Sequence, residues 1–239
     1  MTRPVIIIAH GQPSDPGPQQ AAIEDLAAAV SQLAARPVLG ATLADADALA
    51  RAVADAPRAL IYPMFMAAGW FTGKELPRRL AALGAADPYL HAPFGLDPTL
   101  AELCLTKLRD AACDAGLSLN DVTLLLIAHG SKRARGSANG AEAMAELLRL
   151  RLGRVVTGFI EEAPFLRDAA RDLGPNAIAL PFFATRAEHV TDDIPQALAE
   201  AGFEGRLLDP IGLAPEVPAL IAAALDRADA AIASRRADA

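Results

Sequence analysis

Two of the four histidines in this chain, His10 and His129, sit in the same tripeptide, Ala-His-Gly, directly behind a run of aliphatic residues. Imidazole binds borderline transition-metal ions, exchanges protons near neutrality, and forms covalent intermediates. A third histidine, His189, opens a stretch of helical periodicity, and Glu161 follows the aliphatic segment Val155–Phe159. Together His129, Glu161 and His189 supply two imidazoles and a carboxylate, a donor set suited to a divalent cation such as Co2+, Fe2+ or Ni2+. Glu162 competes with Glu161 for the carboxylate role. Lys132, Arg133 and Arg135 follow His129, and Arg186 precedes His189, so four cations stand close in sequence to the candidate site. Guanidinium groups pair bidentately with carboxylates, which makes this cluster a candidate for holding an anionic ligand. Asp192 and Asp193 fall in the first turn of their helix, where capping accounts for them without catalysis.

The elements that must position these residues follow from periodicity. Short aliphatic runs at Val5–Ala9, Pro37–Gly40, Ala59–Phe65, Tyr89–Ala92, Thr123–Ala128, Val155–Phe159, Ala177–Phe182 and Arg206–Leu208 read as strands buried on both faces. Between them lie helical stretches such as Pro18–Ala35, Asp45–Ala54, Pro98–Ala115, Gly140–Leu152 and Glu188–Ala201. Strictly alternating strands and helices predict α/β architecture with parallel sheets. An internal repeat sharpens this. Val5–Gly11 matches Leu124–Gly130, and Pro63-x-Phe65 up to Leu76-Pro77 matches Pro181-x-Phe183 up to Ile194-Pro195. Pro93-x-Gly95-Leu96-x-Pro98 likewise matches Pro210-x-Gly212-Leu213-x-Pro215. The repeat predicts two similar doubly wound domains, 1–117 and 118–239, facing each other across a cleft. Each histidine of the Ala-His-Gly pair then stands at the C-terminal end of a strand, where ligands bind in such sheets. By an offset of 118, Phe71 occupies the place of His189, and Leu43 that of Glu161. The second half therefore carries the complete set, and the first half keeps only His10.

Composition bounds the function. The chain has 239 residues and a net charge of −7, which argues against nucleic-acid binding through phosphate neutralisation. Its longest uncharged stretch, Ala59–Gly73, contains Pro63 and Gly69 and is too short for a membrane span. The N-terminus reaches His10 too early for a signal peptide. Cys104 and Cys113 form no metal-type spacing, and a cytoplasmic location is expected.

The ordered set Leu-Leu-Ile-Ala-His129-Gly130-Ser131, Gly158-Phe159-Ile160-Glu161, Leu180-Pro181-Phe182-Phe183 and His189-Val190-Thr191-Asp192-Asp193-Ile194-Pro195 resembles the sirohydrochlorin cobalto- and ferrochelatases. These are class II tetrapyrrole chelatases of the cobalamin and siroheme pathways, and the resemblance is to their long, two-domain form. It implies ATP-independent insertion of a divalent metal into a polycarboxylated tetrapyrrole, with His129, Glu161 and His189 at the metal. It also implies a tetrapyrrole and a divalent metal as partners, no cofactor beyond the substrate metal, and a monomer or homodimer. His10, with Lys132, Arg133, Arg135 and Arg186, would then face the macrocycle. The chain departs from the family pattern at Thr185-Arg186-Ala187-Glu188, where a small residue and a glycine are usual. Two other readings compete: a metal or tetrapyrrole carrier derived from a chelatase, and a histidine-dependent phosphatase. The second is disfavoured because Ala9 and Ala128, not arginines, precede the two histidines.

Overall fold

The computed structural model describes residues 3–131, 136–186 and 189–237. Two compact units account for the chain, one formed by Met1–Phe65, Trp70–Asp97 and Pro215–Ala239, the other by Met66–Gly69 and Pro98–Ala214.

In the first unit, strands β1 (Val5–Ala9), β2 (Val38–Thr42), β3 (Leu60–Pro63) and β4 (Tyr89–Leu90) form a parallel sheet in the order β2-β1-β3-β4. Every residue of β1 is buried, as its unbroken aliphatic run requires for a strand covered on both faces. Helices α1 (Pro16–Ala34), α2 (Ala46–Asp55) and α3 (Leu76–Ala82) supply the crossovers. The start of α2 is fixed by Asp45, whose side chain accepts a 2.8 Å hydrogen bond from the backbone N–H of Ala48. One core cluster gathers Ile6 and Ile8 from β1, Leu49 and Val53 from α2, and Leu76 and Leu80 from α3.

The second unit repeats this plan. After α4 (Leu100–Asp114) come β5 (Thr123–Ala128), α5 (Gly136–Arg149), β6 (Arg154–Phe159), α6 (Leu166–Ala169), β7 (Ala177–Pro181), α7 (Ile194–Glu200) and β8 (Arg206–Leu207). The sheet order is β6-β5-β7-β8, again all parallel. The expected doubly wound class and the internal repeat are thus both present. In this order the strands flanking β5 lead in opposite directions, so the chain reverses between β5 and β7. Ligands in such sheets bind beyond the strand ends at that point.

The units differ from the two halves of the repeat at two helices. Helix α4 belongs to the second unit, and the last helix, α8 (Val217–Ala237), belongs to the first. Within the first unit α8 lies along α1. Arg36 and Asp229 are joined there at 2.7 Å, as are Arg227 and the almost fully buried carboxylate of Asp97. Within the second unit α4 lies against α5, with Arg206 3.3 Å from Asp114.

The stretch expected as one helix over Glu188–Ala201 is instead a π-turn, His189–Asp193, followed by α7; Ala187 and Glu188 lie outside the described residues. The first unit has the same π-turn at Phe71–Glu75, closed by the Leu76 N–H bonding the Phe71 carbonyl. Proline supplies the reason. Pro77 and Pro195 have no N–H to donate and crowd the preceding turn, so the ladder widens by one residue before the regular helix begins. Strands β3 and β7 also end at their own prolines, Pro63 and Pro181, earlier than the hydrophobic runs suggest. Among the described residues no helix is long and apolar enough to cross a membrane.

Candidate metal centre

The second unit brings three of the expected residues to the C-terminal end of its sheet. His129 follows β5, and Gly130 turns the chain there at φ +72°, a conformation open chiefly to glycine. A β-carbon at Gly130 would also press on Phe159 and Glu162. Two hydrogen bonds extend the β5–β6 ladder past the strands. The Ile160 N–H bonds the Ala128 carbonyl at 3.1 Å, and the Glu161 N–H bonds the His129 carbonyl at 2.9 Å. Glu161 is therefore held beside His129 by backbone pairing. Across the reversal, the π-turn after β7 presents His189.

The two imidazoles meet edge to face, with ring centroids 4.5 Å apart and planes at 86°. Their Nε2 atoms are 3.0 Å apart. His129 Nδ1 lies 3.0 Å from the Gly130 carbonyl, which only accepts, so Nδ1 donates. His189 Nδ1 lies 2.6 Å from Asp193 Oδ2, and a carboxylate likewise accepts. Both Nδ1 atoms thus take the donor role, which leaves the two Nε2 atoms as the neighbouring ring positions not used in these contacts. Two imidazole nitrogens at this separation can share one proton or ligate one metal ion.

Glu161 lies to one side of this pair. Its Oε2 is 3.9 Å from His129 Nδ1, not at the facing Nε2 atoms, and both side chains are a little over one-third exposed. Accordingly, no three histidine, cysteine, aspartate or glutamate side chains among the described residues close around one metal position. Glu162 Oε1 accepts the Ser131 N–H at 2.7 Å and is engaged in holding the histidine loop. An open cavity of about 530 Å3 adjoins the pair and is lined by Phe159, Glu161, Phe165, His189 and Asp193, among others.

Asp193 does not serve the capping role expected from its place in the first helical turn. Its side chain makes no capping bond to α7; it orients the His189 ring instead. The i,i+4 spacing of His189 and Asp193 on a helical segment was the available signal. In the first unit the matching residue is Glu75, which Arg78 and Arg79 engage at 2.8 Å and 2.7 Å. Their hydrogen bonds lower its pKa to about 2.

Lys132, Arg133 and Arg135 lie outside the described residues. Arg186 forms an exposed 2.6 Å ion pair with Asp209. His10 is exposed, with Nδ1 2.8 Å from the Gly11 carbonyl, the same self-orienting contact as in His129. Its ring meets Phe71 edge to face at 4.5 Å and 82°, nearly the geometry of the His129–His189 pair. The place of the carboxylate needs a correction. Thr42 aligns with β1 as Phe159 aligns with β5, so Ala44, not Leu43, corresponds to Glu161. Leu43 matches Ile160, and both pack into their respective cores. The first unit thus keeps one imidazole of the set and replaces the other donors with a phenyl ring and a methyl group. His91 stacks on Tyr62 at 5.0 Å and serves packing.

Comparison with known proteins places this geometry in context. The CbiX family profile matches residues 4–111 and again 123–228. The chain is 54% identical to a solved CbiX, the terminal enzyme for biosynthesis of siroheme in denitrifying bacteria. That match covers 95% of this chain and 99% of the other, with a TM-score of 0.89. It shares its fold with DR2241 from Deinococcus radiodurans, a multi-domain protein with structural similarity to chelatases (21% identity, TM-score 0.76, covering 94% of this chain and 55% of that one). The fold is also that of SirB from Bacillus subtilis with Fe3+ (15% identity, TM-score 0.71, 95% of each chain). No curated protein matches the chain.

Proposed function

The chain belongs to the CbiX family, and from that premise we propose that it is an ATP-independent metal chelatase that inserts a divalent cation into sirohydrochlorin. The reaction exchanges one M2+ for the two inner pyrrole protons of the macrocycle. It requires neutral donors to hold a partly dehydrated ion and a base to receive protons. The observation that carries the reading is the 3.0 Å approach of two Nε2 atoms whose rings are each fixed through Nδ1. In this account His129 and His189 hold the incoming metal, the substrate of the reaction, and Asp193 keeps the His189 ring aimed at it. Glu161 receives a pyrrole proton, a role favoured by its position beside the pair and away from the facing nitrogens.

The 54% identical relative acts last in siroheme biosynthesis, so Fe2+ is the proposed physiological metal and Co2+ an alternative that the same imidazole pair accepts. No further cofactor is needed. Because the protein carries a net charge of −7, a polycarboxylated macrocycle requires local cations; Lys132, Arg133, Arg135 and Arg186 are the proposed source. We place the protein in the cytoplasm as a monomer or homodimer.

Anaerobic single-turnover absorbance of sirohydrochlorin with Fe2+ or Co2+ tests this. Metallation should exceed the uncatalysed rate, His189→Ala should abolish the acceleration, and Glu161→Gln should lose turnover while still binding the metal. A second reading, a carrier, rests on the finding that among the described residues two donors and no third face one another. It predicts macrocycle or metal binding with no acceleration, and that result would replace the chelatase.

A further inference from the structure

The first unit cannot assemble a metal pair, yet its equivalent slot is not a featureless surface. His10, Phe71 and Trp70 form a chain of rings beyond the ends of β1 and β3. His10 meets Phe71 edge to face at 4.5 Å, Phe71 meets Trp70 edge to face at 5.0 Å and 78°, and Phe65 lies near parallel to Phe71 at 6.3 Å. Phe65 and Phe71 are anchored against the core cluster of α2 and α3. Trp70, by contrast, is 57% exposed, more than any other phenylalanine, tyrosine or tryptophan among the described residues. An indole left in water at the ligand-binding end of a sheet, edge to face with a half-buried neighbour, is a ready surface for a flat ring. Lys74, exposed on the π-turn that follows Trp70, carries a positive charge.

Resting on the chelatase reading, we propose that Trp70, backed by Phe71 and His10, is the stacking residue of a docking face for metal-free tetrapyrrole on the first unit. The occupant is a planar conjugated macrocycle bearing carboxylates: the rings meet its face and Lys74 meets its acidic rim. Exchange of the second imidazole for Phe71 removes metal affinity from this slot and leaves the ring in the same position. The docking face therefore works independently of His129 and His189.

The test measures the Kd of the full-length protein for metal-free sirohydrochlorin by its absorbance change, with Co2+ affinity measured separately in the absence of macrocycle. Trp70→Ala should raise the macrocycle Kd roughly tenfold, Trp70→Phe should retain affinity within about threefold, and Co2+ affinity should match the parent in both. The double variant His129→Ala/His189→Ala should still bind the macrocycle. Trp70 is the sole tryptophan, so quenching of its emission gives a second reading of the same event. Unchanged macrocycle affinity in Trp70→Ala, or equal losses in Trp70→Ala and Trp70→Phe, would overturn the stacking role while leaving the chelatase intact. Failure of the parent protein to bind the macrocycle at all would overturn both.

Discussion

At the scale of single residues, the site depends on what each imidazole does with its second nitrogen. His129 spends Nδ1 on its own loop carbonyl and His189 spends Nδ1 on Asp193, which commits both Nε2 atoms to the shared position. Carboxylates that orient a metal-binding histidine this way typically contribute tenfold or more to metal affinity. Asp193→Asn should therefore weaken Co2+ binding by roughly 10–100-fold by calorimetry while the fold is kept; an unchanged Kd would reduce Asp193 to a surface partner. His129, His189 and Glu161 were legible because each follows a strand of one repeat half. The role of Asp193 was not, because an acidic residue in a first helical turn has a sufficient explanation in the helix dipole. Nor did residue counting show which residue matches Glu161, since the repeat drifts by single residues and only the strand register fixes the alignment on Ala44.

At the scale of elements, the central strand of each sheet was readable from its apolar run, and the strand order follows from the doubly wound connections. The π-turns were not, because their cause is a proline acting on the backbone ahead of it and not a side-chain pattern. These turns matter: each places the residue at its first position over the neighbouring Ala-His-Gly loop, histidine in one unit and phenylalanine in the other. The near identity of the two ring geometries, 4.5 Å and 82° against 4.5 Å and 86°, says that both units keep the same local backbone, while Phe71, Ala44 and the arginine-bound Glu75 stand where the second unit has His189, Glu161 and Asp193. Phe71→His should therefore raise the Co2+ stoichiometry from one to two per chain by calorimetry. A stoichiometry that stays at one would mean that two facing imidazoles do not hold the ion without the counterparts of Asp193 and Glu161.

At the scale of the whole molecule, the repeat predicted two domains split near the middle of the chain, and the compact units instead claim α4 and α8 from the other half. Periodicity marks an amphipathic helix but not the surface it will cover. The signal that fixes α8 is long-range: Arg36, with its side chain 3% exposed, needs the Asp229 carboxylate nearly 200 residues away in sequence. Removing one partner strands a buried charge, so Asp229→Ala should cost roughly 3 kcal/mol in urea unfolding. A loss below about 1 kcal/mol would show that α8 is held by apolar contact alone.

The most direct measurement is a crystal soaked with Co2+ and recorded at the cobalt absorption edge. The account predicts one anomalous peak per chain between His129 and His189, about 2.1 Å from each Nε2. A peak at His10, or at carboxylates away from both imidazoles, would contradict it.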